Sequence, residues 1–257
     1  MKPQQKLFTA IILLCSVFSL AQTDSLDFRG DSPFLPEKKY TVEDILIIKL
    51  YSDNALLDSV KKETVMQRVA TTGRISKKDS LFPVSVKYLR SDENPFLQNA
   101  EVKGYCKPLK KPVFTEVFIS SIKLSKKESD DFMKKMSKLF NGVELPSKKM
   151  KTGDTFSIAR TTDALTGGHT KMEANYILKE IKDGKAYFNI TYTEKLENST
   201  DASGGGTGNG TAVYDIANYT FVSRNVDIET VYTYEKSQDV MKMSITIRQT
   251  TVMEDNP

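Results

Sequence analysis

The chain has 257 residues, 39% of them apolar, with 37 basic and 33 acidic side chains, one histidine, two cysteines and no tryptophan. A net charge of +4 is too small to mark a nucleic-acid binder, and a single histidine removes the two-histidine zinc motifs. The length suffices for a sizeable hydrophobic core, as one domain or two small ones.

Residues 1–21 read as a signal peptide. Lys2 and Lys6 give a positive end, Leu7 to Leu20 is a largely apolar run, and Ser19-Leu20-Ala21 is the small-x-small pattern that places cleavage after Ala21. No later segment approaches the roughly 20 consecutive apolar residues of a spanning helix, so the expected product is exported without a transmembrane anchor. A lipoprotein is disfavoured, because Leu13 and Leu14 rather than a small residue precede Cys15. Cleavage would remove Cys15 and leave Cys106 alone, so no intramolecular disulfide is expected and Cys106 reads as a structural residue. It would also leave 35 basic against 33 acidic side chains. Residues 22–41 carry Gly30, Pro33, Pro36 and several charges without periodicity, which reads as a flexible linker; Arg29-Gly30-Asp31 is a turn within it rather than an adhesion motif.

From there the pattern is mostly period two. Val84, Val86 and Tyr88 alternate with Ser85 and Lys87; Ala186, Phe188, Ile190 and Tyr192 with Asn189, Thr191 and Thr193; Met241, Met243, Ile245 and Ile247 with Lys242, Ser244, Thr246 and Arg248. One wet face per strand is the mark of antiparallel sheets. Asp183-Gly184 is a type I′ hairpin signal. Candidate strands fall near 42–52, 60–74, 81–90, 100–106, 113–122, 153–161, 171–181, 186–194, 211–234 (read as two) and 239–253. One helix interrupts them: Ser125 and Glu128 form a capping box, Phe132, Met133, Met136, Leu139 and Phe140 share a stripe, and Asn141-Gly142 closes it. The expected fold is mainly β, with about ten antiparallel strands in a curved sheet or half-barrel and one amphipathic helix, 125–140, packed on it. It forms a single β-rich domain over 42–257, or two β units, 42–122 and 150–257, joined by the helix.

Little in the chain carries chemistry. His169 follows Thr166-Gly167-Gly168 and reads as a loop residue, with no Gly-x-Ser-x-Gly elbow to serve. The run Gly204 to Gly210 lacks the Lys-Ser/Thr of a phosphate loop, and Ala212 stands where a calcium loop starting at Asp201 needs its glutamate. The run reads first as a mobile hairpin loop, or as a strand lying against another backbone. Glu180, Glu194 and Asp215 lie on or beside strands, but nothing pairs them for glycoside hydrolysis. No catalytic residue, cofactor or metal ligand is assigned, and an enzyme is not expected.

The Ser19-Leu20-Ala21-Gln22 end of the signal, the Lys151-Thr152-Gly153-Asp154-Thr155-Phe156 entry, the 176–186 hairpin and the glycine run leading to Val213-Tyr214-Asp215 resemble exported β-rich Gram-negative bacterial proteins of unknown function, mainly over 151–257. At the level of the fold, strands with a helix against the concave side are similar to periplasmic lipoprotein carriers. The expected function is non-catalytic binding of an apolar or amphiphilic ligand, lipid or other, in the periplasm or at the cell surface. Its lining would come from Phe132, Met133, Met136 and Phe140 on the helix and from Phe188, Ile190, Tyr232, Ile245 and Ile247 on the sheet. Two alternatives stand beside it: an envelope module that docks a protein through sheet edges or the glycine run, and a hydrolase.

Overall fold

The computed structural model describes residues 25–30, 34–52, 55–56, 62–93, 95–108, 110–119, 124–141, 145–163, 169–200, 202–234 and 240–256. The expected signal peptide lies outside the described residues. In chain order the strands are β1 (Ser25–Phe28), β2 (Lys38–Ser52), β3 (Ala55–Leu56), β4 (Lys62–Thr72), β5 (Phe82–Ser91), β6 (Ala100–Cys106) and β7 (Val113–Ile119). Helix α1 (Lys126–Asn141) follows, then β8 (Lys148–Lys151), β9 (Thr155–Asp163), β10 (His169–Lys182), β11 (Lys185–Glu197), β12 (Ala202–Asp215), β13 (Thr220–Tyr234) and β14 (Val240–Asp255).

Eleven strands form one curved antiparallel sheet in the order β7-β6-β5-β4-β2-β14-β13-β12-β11-β10-β9, with the short β3 beside β2. The edges β7 and β9 do not pair, so the sheet stays an open half-barrel. β1 and β8 make a separate two-stranded ribbon. The alternation in the sequence is what selects this arrangement. Phe82, Val84, Val86 and Tyr88 of β5 are all buried while Pro83, Lys87 and Leu89 face out. Asp183 and Gly184 take φ of 50° and 72°, the left-handed pair that a two-residue hairpin needs between β10 and β11.

Two cores sit on the same inner face of the sheet, because residues directly opposite in an antiparallel pair share a face. The first joins Tyr40, Ala70, Val86, Tyr88, Val102 and Phe114 and is roofed by Phe34 and by α1, whose Met136 is buried. The capping box forms as expected: the Ser125 amide donates to Glu128 Oε2 at 2.8 Å, and the Glu128 amide to Ser125 Oγ at 3.4 Å. The second core joins Phe156, Tyr176, Phe188, Ile190, Tyr214 and Ile228 and is roofed by Leu26, Phe28 and Met150 of the β1–β8 ribbon.

Two sequence expectations change here. Residues 25–30, read as part of a flexible linker, are built into the fold: Leu26 and Phe28 are fully buried, and Tyr214 Oη accepts from the Arg29 amide (3.2 Å) and donates to its carbonyl (3.0 Å). Two inward side chains with such partners outweigh the turn-forming residues around them. The glycine run is not a hairpin loop either. Residues 202–215 form one long strand inside the sheet, paired to β11 and β13 along its length.

Candidate functional site

The middle of the sheet is where the two cores fail to meet. Cross-strand register stacks Leu46, Ile247 and Val226 in one row of the inner face, Ile48, Ile245 and Ile228 in the next, and Leu50, Met243 and Thr230 in a third. Leu46, Ile48, Leu50 and Met243 are only half-buried and belong to neither core. Among the described residues, the substantial contacts of β2 and β14 are with their sheet neighbours, so no described layer roofs these rows. The result is an apolar trough running along β2, β14 and β13.

A polar belt closes one end of the trough. Arg224, Gln249 and Asp44 stand side by side on β13, β14 and β2. The Gln249 side-chain amide donates to Asp44 Oδ1 at 2.6 Å, and Arg68 of β4 lies 3.3 Å from Asp44 Oδ2. That ion pair is about four-fifths buried at both ends. A cavity of about 430 Å³ opens beside Leu46, Met66, Arg68, Tyr88 and Leu97. Another of about 230 Å³ lies beyond the belt among Phe34, Tyr40, Val42, Phe221 and Gln249, and Arg68 lines both.

The far end of the trough carries a second polar group, made possible by the glycines. The inner-face positions of β12 are Ala202, Gly204, Gly206, Gly208, Gly210 and Ala212, so that strand offers almost no side chains. Across this furrow Tyr232 of β13 reaches Glu194 of β11 and donates to its Oε1, while Tyr192 donates to Oε2 at 3.2 Å. Thr230 Oγ1 is buried beside them without a hydrogen-bond partner among the described residues.

Burial acts on the phenols of this face. It pushes Tyr40 up to about 12, against a partly offsetting hydrogen bond from the Leu35 amide at 2.6 Å. Burial also raises Tyr192, reinforced by the Glu194 charge, and raises Tyr214. A phenol whose pKa is higher folded than unfolded contributes stability that is complete below the unfolded value near 10, and this is lost as pH rises through the folded value. In a spectrophotometric titration Tyr40, Tyr192 and Tyr214 should therefore resist ionisation past pH 10 and appear only together with loss of near-ultraviolet circular dichroism. A single transition near pH 10 with the fold intact would contradict the burial of these rings.

The nine residues singled out in the sequence do not gather in one place. Met136 lies in the first core, where the Tyr88 hydroxyl approaches its sulfur at 4.0 Å, and Phe132 packs against the same core. Met133 faces a surface cleft with Phe118 and Lys126, and the Phe140 side chain lies outside what is described. Phe188 and Ile190 are buried in the second core, with Ile245 and Ile247 at its margin and Tyr232 on Glu194. Helix α1 packs on β7, at one end of the sheet, so it does not share a cavity with Phe188 or Ile190. The residues that border the open trough include Leu46, Ile48, Leu50, Asp44, Arg68, Arg224 and Gln249, which the sequence reading missed. The signal was present: Asp44 interrupts an inward apolar row of β2, and Arg224 has the same parity as Val226 and Ile228.

The other candidates from the sequence lie apart from the trough. His169 opens β10 and is exposed. Cys106 is buried, with its thiol 2.7 Å from the Lys110 carbonyl. Among the described residues no three His, Cys, Asp or Glu side chains converge as a metal site, and no helix is long and apolar enough to cross a membrane.

No protein-family model matches the chain, and a search of curated proteins returns no match. Among solved structures it is similar to lipovitellin, in a structure describing lipid–protein interactions in that protein, with a TM-score of 0.42 and 9% identity over 87% of this chain. The chain spans 26% of the lipovitellin chain. It also aligns with Ail, the attachment invasion locus protein of Yersinia pestis, in complex with the heparin analogue sucrose octasulfate, at a TM-score of 0.21 and 3% identity over 85% of this chain and 100% of that one. A second structure of Ail gives a TM-score of 0.19 with the same identity and coverage. Superpositions at these scores establish no family.

Proposed function

We propose that the protein is a non-catalytic binder of an apolar or amphiphilic ligand, held along the inner face of β2, β14 and β13, and that it works outside the cytoplasm, in the periplasm or at the cell surface. One observation carries this reading: Leu46 and Ile48 continue the apolar rows of the second core onto β2, with Leu50 and Met243 beside them, yet neither core takes these four in. An apolar surface of this kind, roofed by no described layer and rimmed by polar groups, is the usual mark of a binding site. Each methylene buried there gains about 0.8 kcal/mol, so an alkyl chain of a dozen carbons offers about 10 kcal/mol before ordering costs.

The test is native mass spectrometry of the full chain, expressed with its own N-terminus and isolated without detergent, before and after delipidation. The expected result is added non-covalent mass of lipid size, and a lower Tm once it is stripped; ligand at a hundred times its Kd stabilises by about 2.7 kcal/mol. A bare mass after mild isolation, with no Tm rise on adding fatty acids or phospholipids, would overturn the reading.

A protein-docking module is the second reading, and the β7 edge favours it. Val113 and Phe118 on that unpaired edge are 65% and 64% exposed, a template onto which an extended partner could add a strand.

A further inference from the structure

The geometry points to Arg224 as the anchor for the carboxylate head of a single-chain anionic amphiphile whose tail lies in the trough, an inference that rests on the binding function proposed above. Arg224 sits on the inner face, opposite Gln249 on one side and Ala212 on the other. Its Nε is buried and has no hydrogen-bond partner among the described residues. Its polar neighbours in the belt do not supply one as they stand: the Gln249 amide donates to Asp44, and the second Asp44 oxygen faces Arg68. Two arginines against one aspartate leave the belt one positive charge in excess. A buried guanidinium N–H without an acceptor is costly, and the planar fork of the half-buried Arg224 matches a carboxylate in a bidentate pair.

The rest of the face gives the ligand its direction. The row next to Arg224 is Leu46, Ile247 and Val226, where the apolar floor begins. From Arg224 to Thr230 is six residues of strand, about 20 Å, long enough for an extended alkyl chain. At the far end stands Glu194, already the acceptor for two phenols, which repels an anionic head. A negative head is therefore attracted at one end of the trough and rejected at the other, and the tail fills the rows between.

Isothermal titration of the delipidated full chain with oleate and with methyl oleate tests this, since the pair differ only in head charge. A charge-assisted bidentate contact is worth about 2 kcal/mol, so the wild-type protein should prefer oleate by about 30-fold. In Arg224→Gln that ratio should fall towards one, and Arg224→Lys, which keeps the charge and loses the fork, should fall between. Acetate at millimolar concentration should not displace oleate; displacement by acetate as effective as by oleate would show a free-anion site and overturn the head-to-tail ligand. A wild-type ratio near one, or a ratio that survives in Arg224→Gln, overturns the assignment of Arg224 while the binding function stands. Failure of both ligands to bind removes the binding function itself. Should Arg224→Gln not fold, Arg224→Lys decides: a ratio unchanged from wild type overturns the assignment of Arg224, and a reduced one supports it.

Discussion

Phe28→Ala should lower the unfolding free energy by about 3–5 kcal/mol, the range for removing a fully buried aromatic ring. Phe28 has no exposed surface. Its ring centroid lies 4.8 Å from Phe156, 4.9 Å from Tyr214, 5.8 Å from Phe188 and 6.0 Å from Phe221. Four neighbours on separate strands cannot collapse together into the space left behind, so most of the cavity would persist. The loss is amplified because β1 has four residues and a single partner, β8. Its ladder alone cannot hold it, and the second core would lose part of its roof. Urea unfolding followed by circular dichroism measures this. Deletion of residues 22–30 should go further and lower m as well as the midpoint, because a partly unroofed native state exposes less new surface when it unfolds. A loss below about 1 kcal/mol for Phe28→Ala would show that β1 is not part of the core.

The same segment marks where sequence reading reaches its limit. The β5, β11 and β14 alternations, the Asp183-Gly184 hairpin and the Ser125–Glu128 cap were legible because each is decided within a few residues of chain. β1 also alternates, Ser25 and Asp27 out, Leu26 and Phe28 in, but four residues beside Gly30 and Pro33 give too short a period to distinguish from a linker. Its partner β8 lies more than a hundred residues away, and only tertiary packing reveals it. The lining residues divide for a related reason. Ile245 and Ile247 stand in the rows of the trough while Phe188 and Ile190 are closed into the second core, and parity is the same for a closed core and an open trough. Which inward rows remain unroofed depends on where α1 and the β1–β8 ribbon dock, and neither position is written in local pattern. Arg224 and Asp44 were the readable exceptions: charges at inward parity signal a site whatever the topology.

Gly204→Ala should be among the most damaging single-methyl changes in the molecule, costing about 3 kcal/mol or more. Two effects combine at this position. Gly204 holds φ at +145°, a backbone conformation that side-chain-bearing residues rarely adopt. A Cβ there would also lie 2.1 Å from the Val231 carbonyl oxygen and 2.9 Å from the Tyr232 Cα, and both are backbone atoms of the neighbouring strand that cannot rotate away. Gly184→Ala separates the two effects. Gly184 also has positive φ, +72°, but nothing lies within 4 Å of its would-be Cβ, so it should lose only the conformational part, about 1 kcal/mol. Equal losses in the two variants, measured by urea unfolding, would show that close strand approach is not what the glycine row serves. The expected excess at Gly204 has a functional corollary. β12 can lie tightly against β13 and still leave a furrow free of side chains, and only such a furrow lets Tyr232 meet Glu194 across an intervening strand. Gly206→Ala places a methyl 2.5 Å from Thr230 Oγ1 in the floor of that furrow. It should narrow the trough at its Glu194 end, weakening binding of long-chain amphiphiles more than of short ones.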